Sequence, residues 1–77
     1  MRTLTVGQQV IARHDRVLEF ADHEPIVIWK QGQSLTVCGI VQNAPGQLEA
    51  LIDLGDSDWE NVPFPIMDEL FTLPASL

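Results

Sequence analysis

Apolar positions recur with two different periods along this chain. In the first third, Val10, Ile11, His14, Val17, Leu18 and Ala21 fall on one face at helical spacing. Arg13, Arg16, Glu19 and Asp22 lie mostly off that face. Thr5 and Gln8 have the spacing of a capping box, with Thr5 as N-cap and Gln8 at the third helical position. Pro25 closes the segment, because the residue before a proline avoids the helical region. The pattern predicts a helix over residues 6–22. A strand from Gln8 to His14 is the competing reading, since Val10, Ala12 and His14 also alternate and the β-branched residues favour it.

After Pro25 the period shortens. Ile26 to Lys30 and Ser34 to Val41 are β-rich runs separated by the glycine-bearing Gln31-Gly32-Gln33, which predicts a hairpin. Asn43-Ala44-Pro45-Gly46 is a turn by composition. In the next run Leu48, Ala50, Ile52 and Leu54 alternate with Gln47, Glu49, Leu51 and Asp53, the pattern of a strand with one face buried. Gly55 to Asp58 turns the chain again. Trp59 to Phe64 reads as a last extended piece, which Pro63 and Pro65 confine to a sheet edge. Met67 to Phe71 suggests one helical turn before Pro74. The sum is an α+β domain spanning residues 1–77, an N-terminal helix packed on a small, mostly antiparallel β-meander. The alternative drops the helix and closes the strands into an SH3-like β-barrel.

Length and charge narrow the function. A chain of 77 residues buries only roughly 60% of the surface it exposes when unfolded, which leaves little room for an enclosed active site. The net charge is −7, and residues 25–77 carry one base, Lys30, against seven acids. Direct contact with nucleic-acid phosphates is disfavoured, because Lys and Arg drive it. A basic protein partner fits better. No apolar run approaches the roughly 20 residues of a membrane span, and the N-terminus lacks the features of a signal peptide. The expected location is the cytoplasm.

Candidate chemistry is sparse. Cys38, the single cysteine, sits between Val37 and Gly39 in an apolar strand, where a small buried filler is expected. Gly39 predicts a bulge or bend in that strand. His14 and His23 lack metal-ligand spacing and read as core and helix-end residues. Asp56, Asp58 and Glu60 take positions one, three and five of a calcium-like loop, but Asn61 and Met67 stand where glycine and a bidentate glutamate are needed. The acidic turn reads instead as a docking site. Its candidate partner-binding residues are Asp53, Asp56, Asp58, Trp59 and Glu60, with Trp59 as anchor. No phosphate-binding loop or nucleophile elbow occurs. No cofactor, metal, small-molecule substrate or enzymatic activity is expected.

The succession His23-Glu24-Pro25-Ile26-Val27-Ile28, Val37-Cys38-Gly39-Ile40-Val41-Gln42-Asn43, Ile52-Asp53-Leu54-Gly55 and Asp68-Glu69-Leu70 with Leu73-Pro74 resembles the small head–tail joining proteins of tailed phages and prophages, the lambda-type connector family. That resemblance implies a helix followed by strands, no catalysis, and a structural role joining portal to tail through subunit contacts in a ring. It would place the chain in a virion. Taken together, the expected function is that of a non-enzymatic structural or adaptor protein that self-associates or binds a protein partner. The alternative is a small acidic binding module, of inhibitor or antirepressor type, that docks a basic protein surface.

Overall fold

The segment expected to be a helix is extended. In the computed structural model, which describes residues 4–74, Gln9–Ala12 forms strand β1 and Arg16–Leu18 forms β2. The capping-box pair does meet: the Gln8 amide donates to the Thr5 carbonyl at 3.1 Å, and the Thr5 amide donates to Gln8 Oε1 at 3.3 Å. It closes a turn rather than a helix, because Gly7 takes φ +95°, outside the helical region. Val10 and Ala12 then alternate into the core, and β1 is hydrogen-bonded antiparallel on both sides. Pairing on both edges outweighs the local helical spacing of residues 10–21. The N-terminal helix is therefore corrected to strands, and the molecule is a small β-rich fold.

The remaining elements are β3 (Ile26–Trp29), β4 (Ser34–Ala44), β5 (Gln47–Gly55), β6 (Asp58–Pro63), a 3-10 turn (Phe64–Ile66), a single helical turn α1 (Met67–Leu70) and β7 (Phe71–Thr72). One sheet runs in the order β6-β5-β4-β1-β7, and β2 and β3 form a separate two-stranded ribbon. The expected hairpin between β3 and β4 is thus not formed. β3 pairs instead with β2, in register Leu18↔Ile26 and Val17↔Val27. The turn after β3 is hooked onto β1, where the Gly32 amide donates to the Ala12 carbonyl and the Ala12 amide to the Gln33 carbonyl. β6 lies at a sheet edge, as its prolines predict.

β4 divides its length between two neighbours. Ser34 to Thr36 face β1, and Val37 to Ala44 face β5. At the handover the register skips between Val37 and Gly39, so Cys38 is the extra residue of a bulge. The irregularity predicted at Gly39 is present. Gly39 lies close under Leu51: a Cβ there would sit 2.9 Å from Leu51 Cδ1. The bulge also turns Cys38 outward. It is exposed, not buried as expected, and its thiol faces the Leu51 carbonyl at 3.4 Å.

The core gathers Val10, Ala12, Leu35, Val37, Ala50 and Ile52 from the sheet. Trp29, Met67 and Phe71 close it from the ribbon and the C-terminal turn. Trp29 and Phe71 pack ring against ring, 5.1 Å between centroids and tilted by 48°, an arrangement aromatic quadrupoles favour. The ribbon is tied down by Arg16, which pairs with Glu60 of β6 at 2.8 Å. No described helix is long and apolar enough to cross a membrane.

Candidate functional site

The three strands β4, β5 and β6 have two unlike faces, and their registers assign each residue to one of them. The pairs Val37↔Ile52, Ile40↔Ala50 and Ala50↔Val62 line the inner face. The pairs Val41↔Glu49, Gly39↔Leu51, Leu51↔Asn61 and Asp53↔Trp59 line the outer one. Of the candidate partner-binding residues, Asp53 and Trp59 are therefore brought directly opposite each other. Trp59 is 54% exposed. An indole left that far in water gains from any surface that covers it.

The turn beside them is built to hold its shape. Asp56 and Ser57 both take positive φ, 52° and 63°, and Gly55 pairs with Asp58. That is the two-residue primed turn whose twist matches a hairpin. Asp53 Oδ1 accepts from the Gly55 amide at 2.8 Å, and Asp58 Oδ1 accepts from the Trp59 amide at 2.9 Å. Each carboxylate fixes local backbone with one oxygen. The second oxygen has no protein partner among the described residues, so it remains available to a donor from outside.

Glu60 stands apart from this group. It follows Trp59 on the strand and so lies on the opposite side of β6. There it accepts from Arg16 at both Nε (3.1 Å) and Nη2 (2.8 Å). The guanidinium pKa is raised, first by the hydrogen bond to Glu60 and then by its charge. Glu60 anchors the ribbon and does not join Asp53, Asp56, Asp58 and Trp59.

The sheet register adds residues that the sequence reading did not single out. Glu49 lies two positions from Leu51 on the outer face and accepts from Asn61 Nδ2 at 3.1 Å. Beside it, at the start of β5, an open groove of about 570 Å³ runs between Leu48 and the segment Pro63-Phe64-Pro65. Leu48 has the inward parity of its strand yet is 40% exposed, because the core ends before it. The strand alternation already grouped Glu49, Leu51 and Asp53. Only the pairing of β5 with β6 shows that Trp59 and Pro63 stand at the two ends of the same surface.

The histidines form no site. His14 is exposed rather than in the core, and His23 is stacked on Phe20 with centroids 4.1 Å apart. No group of metal-ligating side chains occurs among the described residues. Comparison with known proteins finds no match among family models, curated proteins or solved structures.

Proposed function

We propose that this chain is a non-enzymatic protein-interaction module. It docks a basic protein surface onto the outer face of β4, β5 and β6, with Trp59 as the anchor at the turn end of the contact. The observation that carries this reading is Trp59 itself, 54% exposed and directly across from Asp53. Val41 and Leu51 extend the apolar surface, and Asp56 and Asp58 border it at the turn. A large aromatic surrounded by unneutralised carboxylates is complementary to a partner that offers an apolar pocket and a basic rim.

The described bases do not neutralise this face from within. Arg13 donates to the Phe71 carbonyl and Arg16 to Glu60. Lys30 lies in the turn after β3, which is bonded to β1 through Gly32 and Gln33, and β4 and β5 separate β1 from β6 in the sheet. No base among the described residues thus answers these acids, which favours a partner that brings its own.

The reading is tested by immobilising the chain and comparing retained proteins for the parent, for Trp59→Ala and for a triple variant with Asp53, Asp56 and Asp58 changed to Asn. Basic proteins retained by the parent, eluted by moderate salt and absent from both variants are the expected result. Equal retention by all three chains would sink the proposal.

A further inference from the structure

The groove at the start of β5 has an apolar floor and a charged lip. Leu48, Pro63, Phe64 and Pro65 supply the floor, and Phe64 packs onto the core below. Glu49 is its one ionisable lining residue. Asn61 occupies one carboxylate oxygen and holds the side chain in place. The other oxygen has no protein partner among the described residues. A ligand matched to this combination has an apolar stem and a cationic head, as lysine and arginine side chains do. The volume, about 570 Å³, lies within the range of side-chain-sized and small-ligand clefts.

The same strand fixes a spacing. Glu49 and Asp53 are four residues apart on β5, both directed to the outer face. At the rise of an antiparallel strand that separation is about 13 Å. Four residues of an extended partner segment span the same distance and present both side chains to one side. We propose that the groove receives a lysine or arginine of an extended basic segment, and that a second base four residues along the segment meets Asp53 beside Trp59. This inference rests on the docking function proposed above and names the partner's chemistry.

Other occupants fit less well. A second copy of the chain has four bases in all, and Arg13 and Arg16 are already bonded within the fold. Nucleic acid and anionic lipid headgroups carry the same sign of charge as the site.

The test is a titration of the isotopically labelled full chain, followed by amide NMR. The probe is a decapeptide of alternating threonine and valine carrying two arginines four positions apart. One control peptide places the arginines two positions apart, and another replaces both with citrulline. The expected result is joint movement of the Gln47, Leu48, Glu49 and Phe64 amides and the Trp59 indole. Affinity should be about tenfold above either control, and Glu49→Gln should weaken it by about fivefold. Shifts confined to residues 53–59, or equal affinity for the Glu49→Gln variant, would overturn the groove assignment and leave the docking function standing. Equal binding of the citrulline peptide would remove the cation from the groove. No shift at either end of the face, with any peptide, would count against both proposals.

Discussion

The two faces of β4, β5 and β6 are made by the same strands and differ in what they leave in water. On the inner face Val37, Ala50 and Ile52 are fully buried, and Val62 nearly so. On the outer face Val41 and Trp59 remain exposed, and the polar positions are acidic or amide. Inner residues hold the domain together by leaving water. Outer residues keep apolar surface in water, which contributes nothing to folding and is recovered only when something covers it. Under the docking function proposed above, the contrast would separate stability from recognition residue by residue, and it can be broken by substitution.

The largest effect belongs to the inner face. Ile52→Ala should cost about 2–5 kcal/mol, because the sheet cannot collapse around the void. Phe71→Ala should cost about 3–5 kcal/mol for the same reason, with loss of its contact to Trp29. Chemical denaturation measures both, and a loss below about 1 kcal/mol in either would show that the inner face is not the core.

The bulge comes next. Gly39→Ala brings a methyl group 2.9 Å from Leu51 Cδ1. Leu51 is a flexible side chain on the open face, so it can yield, at a cost of about 1 kcal/mol. Combining the change with Leu51→Ala should cost less than the sum of the two single changes. Strict additivity would show that the close approach is not what the glycine serves.

Arg16→Ala should cost about 0.5–1 kcal/mol, less at high salt, since the guanidinium is partly exposed. Its pKa is raised in the folded state. A raised pKa stabilises fully below arginine's ordinary value and is lost only as pH rises through the higher folded value. The arginine's contribution is therefore constant from neutral to moderately alkaline pH, and a cost that fell between about pH 7 and pH 9 would contradict the pairing.

The turn and the outer face give the smallest changes in stability. Ser57 holds a left-handed conformation that glycine adopts without strain. Ser57→Gly should stabilise by about 0.5 kcal/mol, and a destabilisation would place the primed turn in doubt. Trp59→Ala should move stability by less than about 0.5 kcal/mol while removing partner binding. A loss of several kcal/mol would return Trp59 to the core and erase the difference between the faces.

The C-terminal half of this fold was legible in the sequence because its signals are local. Strand alternation located β5 to within a residue, and the prolines placed β6 at an edge. The N-terminal half misleads because Val10 and His14 belong both to the helical set and to the alternating one, and only pairing with β4, β7 and β3 decides between them. β3 was given the wrong partner for a related reason: adjacency along the chain favoured β4, while the turn at Gly32 is bonded to β1. β7 has two residues and carries no period at all. Within the site, Asp53 and Trp59 could be named from composition. Glu60 could have been separated from Trp59 by alternation alone. The groove was out of reach, since Leu48 and Phe64 meet only through the register of β5 with β6.

The chain's two tryptophans sit in opposite surroundings, Trp29 at 2% exposure and Trp59 at 54%. Their emission should therefore be composite, a short-wavelength component from the enclosed indole and a long-wavelength one from the wet indole. Unfolding acts on the first and shifts it to the red. Capture of a partner, under the docking function proposed above, would act on the second and shift it to the blue. The molecule would thus report its integrity and the covering of its outer face separately, with no label added.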